Sequence, residues 1–475
     1  MNRLIIGAVL TGLIVFSSCK KEVLHTGDAT LQFSATLITF DTVFTSVSTI
    51  TKILKVKNPY KNNVKTDIML VGGATSYFSI NVDGVSMQQQ LKEVEIPAQD
   101  SIFIFIKANI NPSGVNNPML ACDTLQFTTN GKKQNVEMLA YGQDAHFIIP
   151  KDTIYQIDGS IIPYQIVAAE GQNITWKNDK PYVIYGAAVV DSDAKLTIEQ
   201  GTRIHLHKGA MLWVYLDGCL EVNGTKDKPV TFQSDRLEDW YQKGYELWDR
   251  ILICEGKKDN KINYAIIKNA VIGVQTETID LTSGSSNKLV LTNTIIKHSK
   301  IGLLSKNYTI EASNNVFMDC MQQCVALTLG GDYTFVNNTI YNRYNNRRTD
   351  AALYISNGYA DLEIHKDFSG IFINNIVSGV RDVELHPSYD VKEANFLATF
   401  ENCLLRTSEE YLKRVAHTNT LWNQNPGFAD TVNYEILKLK STSPCKKAGK
   451  FVSWLQTDIE GNPRNSSAPS IGAYE

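Results

Sequence analysis

The feature that most constrains this chain is a short pattern recurring through its second half. Five segments set polar residues, often paired asparagines, just before an apolar stretch. They are Thr292-Asn293-Thr294-Ile295, Asn314-Asn315-Val316-Phe317, Asn337-Asn338-Thr339-Ile340, Asn374-Asn375-Ile376-Val377 and Glu401-Asn402-Cys403-Leu404, with Asn263-Tyr264-Ala265-Ile266 as a degenerate earlier copy. With Asn293, Asn315, Asn338, Asn375 and Asn402 as the repeated position, the intervals are 22, 23, 37 and 27. A base period of about 22 with insertions is that of a right-handed parallel β-helix, one coil per repeat. Stacked coils lie about 4.8 Å apart, so one side chain recurs above itself. An asparagine amide donates to one neighbour and accepts from the other, which makes a ladder in a tight bend. The repeated asparagines are therefore expected to be architectural, in a solenoid of about ten coils.

Further segments extend the pattern. Leu196-Thr197-Ile198-Glu199-Gln200-Gly201-Thr202-Arg203-Ile204, Gly218-Cys219-Leu220-Glu221-Val222-Asn223-Gly224-Thr225 and Lys228-Pro229-Val230-Thr231-Phe232 resemble the first coils of the pectin-lyase-like β-helix superfamily. Ser443-Pro444, Asp458-x-x-Gly461-x-x-Arg464 and Ile471-Gly472-Ala473-Tyr474-Glu475 resemble the C-terminal segment of bacterial surface β-helix proteins, including the choice-of-anchor Q group. An uncapped solenoid exposes an open edge, so residues 441–475 are expected to close the last coil.

Residues 29–145 read differently. Short alternating strands, such as Leu54 and Val56 among lysines, are punctuated by Val82-Asp83-Gly84, Asn111-Pro112 and Asn130-Gly131. Ile102, Ile104 and Ile106 share one face and Phe103 and Phe105 the other, which predicts a strand buried on both sides. About seven strands in about 115 residues predict a β-sandwich. Thr51 to Asn58, Ile96 to Ser101, Asn111-Pro112 and Leu139-Ala140-Tyr141-Gly142 resemble an immunoglobulin-like family found in cilia- and centrosome-associated proteins and bacterial surface proteins.

The N-terminus carries an address. After Met1-Asn2-Arg3, Leu4 to Phe16 is an apolar run of 13 residues, the order of a secretory signal and too short for a membrane span. Phe16-Ser17-Ser18-Cys19 resembles a bacterial lipoprotein box, with Phe16 where such boxes usually carry Leu. The resemblance implies lipidation of Cys19 and a membrane link through that lipid alone. Lys20-Lys21-Glu22 resembles the charged tether of Bacteroidetes lipoproteins sent to the outer leaflet, implying an outer-membrane, cell-surface location. The chain thus divides into a signal peptide (1–18), a tether (19–28), an immunoglobulin-like sandwich (29–145), a linker leading into the solenoid (146–180), the β-helix (181–440) and a C-terminal cap (441–475). Lipidation leaves seven of the eight cysteines, an odd number without paired spacing, so small core positions are expected, Cys320 and Cys324 included.

Forty-six Lys and Arg against 49 Asp and Glu remove the electrostatic case for nucleic-acid binding. The paired acidic motifs of pectinolytic hydrolases are absent. Asp191-Ser192-Asp193 has suitable spacing but reads as a turn. His205 and His207 share a strand face that is expected to be solvated, and no metal site is assigned. No cofactor is expected, with calcium left open. Two loops stand out as glycan-binding candidates. One holds Trp240, Tyr241, Tyr245 and Trp248; the other holds Tyr341, Arg343, Tyr344, Arg347 and Arg348. Aromatic faces stack on sugars and arginine forks grip carboxylates. At about 22 to 25 residues per coil the loops should lie roughly 20 Å apart along the axis, and the arginines at 343, 347 and 348 favour an acidic glycan. The expected function is a non-catalytic surface protein that binds or organises polysaccharide; the alternative is a polysaccharide lyase or glycoside hydrolase.

Overall fold

The structure, a computed structural model, describes residues 23–44, 51–110, 119–156, 159–237, 241–281, 287–344, 348–359, 364–390, 393–430 and 436–475. Cys19, Trp240 and Arg347 lie outside the described residues. The chain forms two units, Met1–Asp144 and Ala145–Glu475.

The first unit is a sandwich of two five-stranded sheets, ten described strands where about seven were expected. One sheet runs Gln32–Phe33, Lys52–Lys57, Ser101–Ala108, Phe78–Val82, Val85–Met87. The other runs Leu37–Phe44, Lys132–Gln143, Met119–Thr129, Val64–Leu70, Gln90–Ile96. Alternation drives the packing: Leu54, Val56, Ile102, Ile104 and Ile106 meet Val64, Ile68, Leu125 and Phe127 in one core. Asn130 (φ 48°) and Gly131 (φ 80°) form the two-residue hairpin between Met119–Thr129 and Lys132–Gln143, as a primed turn requires. Phe103 and Phe105 depart from expectation. They are 42% and 37% exposed, because only the isoleucine face of their strand meets the second sheet.

The second unit is a right-handed parallel β-helix with three faces. The first face is an eleven-stranded parallel sheet, one strand per coil, from His146–Ile148 to Leu421–Trp422. His146–Ile148 pairs with Tyr182–Ile184 as the first strand of this sheet, within the segment 146–180 that leads into the solenoid. The second face holds Ala187–Val190, Met211–Val214, Trp248–Cys254, Ala270–Glu277, Leu353–Ser356 and Leu385–Ser388. The third holds Lys195–Glu199, Cys219–Asn223, Asn260–Asn263, Lys288–Thr292, Phe368–Ile373 and Phe396–Glu401. The long strands Ile301–Ser313 and Val325–Val336 bend through both faces at Asn307 (φ 49°) and at Leu329 to Gly331, where φ is also positive. Inside, like residues stack: ring centroids of Phe335 and Phe372 are 5.4 Å apart, and those of Phe372 and Phe400 are 4.4 Å apart.

The asparagine repeat resolves into two columns that the sequence reading merged. Tyr264, Asn293, Asn314, Asn337, Asn374, Asn402 and Asn419 all have φ between 48° and 56°, the left-handed conformation that asparagine tolerates. One residue later lies the buried ladder. Asn315 Nδ2 donates to Asn338 Oδ1 (2.9 Å) and Asn338 Nδ2 to Asn375 Oδ1 (3.0 Å), and the Asn375 backbone N–H meets Cys403 Sγ (3.3 Å). Asn293 and Asn402 thus belong to the bend, while Asn315, Asn338 and Asn375 belong to the ladder.

The C-terminal segment does not close the last coil. It lies lengthwise over the first face, where Phe428, Leu437, Ile459, Ile471 and Tyr474 pack on Val316, Met318, Ile376 and Leu404. The bend asparagines hold it: Asn314 donates to the Thr457 carbonyl (2.8 Å), Asn374 to that of Lys450 (2.7 Å) and Asn402 to that of Ala448 (2.8 Å). Arg464 Nη2 donates to Asn314 Oδ1 (2.7 Å), and Asp458 accepts from the backbone of Asn462 and Glu475. The Asp-Gly-Arg signature is therefore the clasp of a lateral strap. The last coil instead turns through the short helix Glu409–Leu412, capped by Ser408, with Leu412 and Val415 joining the interior core. All seven described cysteines are free, and all but Cys122 are buried.

Candidate functional site

The three faces of the solenoid offer different surfaces. The strap covers much of the first. The third is a solvated charge surface, with pairs such as Lys195–Glu221 (2.8 Å) and Lys288–Glu311 (2.7 Å). The second face carries a lengthwise band of outward aromatics and polar groups.

Parallel register puts the outward side chains of the second face in line. Val189 pairs with Trp213, Trp213 with Leu252, Leu252 with Gln275 and Gln275 with Leu304. The row continues through Ala326 and Tyr354 to His386. Gln275 is only 3% exposed although it points outward, so neighbouring side chains hem the row in. From Trp213 to Tyr354 is five strand steps, about 24 Å. At one end Trp213 and Tyr215 meet edge to face at 5.6 Å. At the other, Tyr354 meets His386 at 5.4 Å and His386 meets Tyr411 at 4.5 Å. Burial, then the charge of Arg414, holds the His386 imidazole below its usual range.

A polar relay lies between these ends. Asp249 accepts from Arg250 (2.8 Å), and Arg250 donates to Gln275 (2.5 Å). Gln275 donates to Glu277 (2.6 Å), which pairs with Lys306 (3.2 Å). Two cations face two anions, so the band is polar but electrically balanced. It offers stacking surfaces and hydrogen-bonding groups, the requirements for an uncharged polyol chain.

The loops singled out in the sequence meet one another rather than standing 20 Å apart. Tyr245 contacts Tyr344 edge to face at 5.2 Å and His298 at 5.8 Å. The first loop runs along the axis because Asn269 Nδ2 donates to the carbonyls of Tyr241, Gln242 and Gly244. Glu246 then pairs with Lys300 (3.2 Å), beside the start of a second-face strand. Several candidates are committed elsewhere. Trp248 is fully buried and its Nε1 donates to the Lys268 carbonyl (2.8 Å), so no sugar can stack on it. Tyr341 is half-buried and packs on Phe428 of the strap (4.8 Å). Arg343 grips Asp319 with both Nε and Nη2. Arg348 is buried with Glu384, a bidentate pair of 2.7 and 2.9 Å with no exposed side-chain surface on either partner. Tyr241, Tyr245 and Tyr344 remain half-exposed. Arg236 sits over the Tyr241 ring at 4.1 Å.

The remaining candidates separate as well. Asp193 occupies a turn at φ 56°, and Asp191 accepts from the Ser192 backbone. His207 is exposed and held by Asp235 (2.6 Å), whose hydrogen bond raises its pKa. His205 is buried rather than solvated. Burial depresses its imidazole to about 4, and its Nδ1 lies 3.3 Å from the Ser234 carbonyl. Among the described residues no group of three or more His, Cys, Asp or Glu side chains is placed to hold a metal ion. The sequence reading missed Trp213, Tyr215, Gln275, Tyr354 and His386. Their signal is alternation at matched phase in successive strands, which becomes visible only once the register is known.

Residues 168–288 match the family described as pectate-lyase-like beta helix domain. No curated protein sequence matches the chain. Among solved structures, a family 123 glycoside hydrolase from Clostridium perfringens is 8% identical over 25% of this chain, with a TM-score of 0.17; the chain spans only 30% of its length. The catalytic unit of a thermostable GH87 alpha-1,3-glucanase from Streptomyces thermodiastaticus strain HF3-3 is 11% identical over 74% of this chain and 73% of its own, with a TM-score of 0.33. The catalytic domain of a GH87 alpha-1,3-glucanase D1069A variant in complex with nigerose is 10% identical over 76% of this chain and 82% of its own, with a TM-score of 0.16.

Proposed function

We propose that the protein is a cell-envelope polysaccharide-binding protein that holds a glycan lengthwise on the second face of its β-helix without cleaving it. The observation that carries this reading is the register-aligned band from Trp213 to His386, with aromatic groups at both ends and a charge-balanced relay between them. The balance favours a neutral glycan over the acidic one expected from the arginine loop, since Arg343 and Arg348 already have carboxylate partners. Lipid on Cys19 would hold the body at the outer membrane, facing outward. Among the described residues no helix is long and apolar enough to cross a membrane.

A glycan array followed by calorimetric titration tests the binding. Trp213→Ala and Tyr354→Ala should each weaken affinity about fivefold, the value of one aromatic stack, with the melting temperature unchanged. Unaltered affinity in both variants would remove the band from consideration. A reducing-sugar assay on the same preparation separates the enzymatic alternative: oligosaccharide release abolished by Glu277→Gln would make the protein a lyase or hydrolase. Binding should survive calcium chelation, because the proposed contacts use no ion. For the anchor, Cys19→Ala should release the protein from the membrane fraction.

A further inference from the structure

The two outer faces of the N-terminal sandwich have opposite chemistry. The sheet containing Val64–Leu70, Gln90–Ile96, Met119–Thr129 and Lys132–Gln143 mixes acids and bases: Asp67, Glu93, Glu95, Asp123 and Glu137 among several lysines. The five strands of the other sheet contain Lys52, Lys55, Lys57 and Lys107 and no aspartate or glutamate. Acids flanking that sheet sit in its turns, Asp83 after Phe78–Val82 and Asp100 before Ser101–Ala108.

Register gathers this chemistry into one patch. Ile53 pairs across strands with Phe105, and Lys55 with Phe103. Ile53 is 55% exposed, and Phe103 and Phe105 stand beside it with their rings largely out of the core. The Lys55 ammonium lies 5.9 Å from the Phe103 ring centroid. Lys57 and Lys107 are exposed on the same outward side. Val85, at the sheet edge, is also exposed. An aromatic and aliphatic centre fringed by long-stemmed cations, on a sheet with no acid, matches an interface where apolar groups sink among headgroups and lysines meet phosphates.

We infer that this sheet face docks on an anionic phospholipid surface, through Ile53, Phe103 and Phe105 at the centre and Lys55, Lys57 and Lys107 around them. The inference rests on the envelope location proposed above. The geometry suits that setting, since Leu24 and His25 are already tied to Asn63 of the sandwich, so the chain from Cys19 to Leu24 spans at most about 18 Å. Docking would supply the second signal that a single lipid attachment needs for stable anchoring.

The test uses the chain starting at Lys20, which carries no lipid and retains every described residue. Flotation with vesicles of phosphatidylcholine alone and with 30% phosphatidylglycerol (roughly the charge density of an anionic leaflet) gives the partition coefficient. The chain should float with the anionic vesicles only, and less as salt is raised. Lys55→Gln with Lys57→Gln should weaken partitioning about 25-fold, at about fivefold per lysine. Phe103→Ser with Phe105→Ser should abolish it. These side chains are exposed, so unchanged melting temperatures will confirm folding. Equal flotation with neutral vesicles, no flotation at all, or unchanged partitioning of both variants would overturn the inference; an acidic protein partner, for instance, would give no flotation. Because the tested chain lacks Cys19, the result does not depend on lipidation. A Trp213→Ala chain that still floats would separate docking from glycan binding.

Discussion

Arg348 offers the sharpest test, because two opposed roles predict different measurements. As a glycan contact, its loss should lower affinity and leave stability within about 0.5 kcal/mol. The structure gives it a different job. Nη1 and Nη2 fork onto Glu384 at 2.9 and 2.7 Å, Nε donates to the Tyr344 carbonyl at 3.0 Å, and Nη1 also reaches the Asp350 carbonyl at 2.6 Å. Glu384 receives further N–H donors from Ala352 (3.0 Å) and Arg381 (2.9 Å), and neither ion-pair partner is exposed. Arg348→Ala therefore leaves a buried carboxylate with two backbone donors and no counter-charge, at a cost of about 3 to 5 kcal/mol. With a urea slope of about 3 kcal/mol/M, the transition followed by tryptophan fluorescence should fall by at least about 1 M. Arg348→Met combined with Glu384→Leu should recover much of the loss, since removing both charges also removes their desolvation penalty. A single variant that unfolds like wild type would refute the structural assignment.

Asn374→Ala should cost about 2 to 4 kcal/mol, combining left-handed strain with lost amide bonds to Asn337 and Lys450, and Asn374→Gly should restore the strain part. His205 titrates near 4 when folded and near 6.5 when unfolded, so falling pH protonates the unfolded chain first. Its effect is absent above about pH 6.5, removes up to about 3 kcal/mol between 6.5 and 4, and levels off below 4; His205→Gln should flatten that window in a series of melts against pH. Deleting Ser443 to Glu475 uncovers Val316, Ile376 and Leu404, so dye binding to exposed apolar surface should rise and solubility fall, whereas a monodisperse truncation without dye binding would contradict the strap.

The solenoid was legible because stacking forces chemistry to repeat. Asparagines marked five coils, three of them with a pair, and glycine turns with Pro-Val strands marked earlier ones. The sandwich was legible as alternation, but alternation reports only that both sides of Ser101–Ala108 are apolar. It does not say that one side lacks a covering layer, which is why Phe103 and Phe105 were placed inside. The loops were misjudged through distance. Counting residues per coil assumes that an insertion leaves the axis sideways, whereas residues 241–247 run along it, held by Asn269, until Tyr245 reaches Tyr344. Composition also misled at Trp248 and Arg348: a tryptophan and an arginine suit binding loops, yet one fills the core and the other neutralises Glu384.

The asparagine pair does two things at once, and this explains where the strap lies. Its second residue points inward and fixes coil spacing through the ladder; its first takes the left-handed bend and turns its amide outward to a strap carbonyl. Coils with the full pair, at 314–315, 337–338 and 374–375, supply both functions through asparagine alone, and at 402–403 Asn402 holds the strap while Cys403 takes the ladder position. Over the same coils the outward residues of the first face are apolar or small: Val316, Thr339 and Ile376. Upstream, where the bend carries Tyr264 and no ladder asparagine follows, the matching outward residues are Thr231 and Ile266, flanked by Gln233 and Lys268, and the strap core contains none of them. The apolar surface reaches past the pairs, to Ile295 on one side and to Leu404 and Leu421 on the other, and ends there along the axis. Binding chemistry is left to the second face, where no asparagine column constrains the side chains and Trp213, Gln275 and Tyr354 are free to differ from coil to coil.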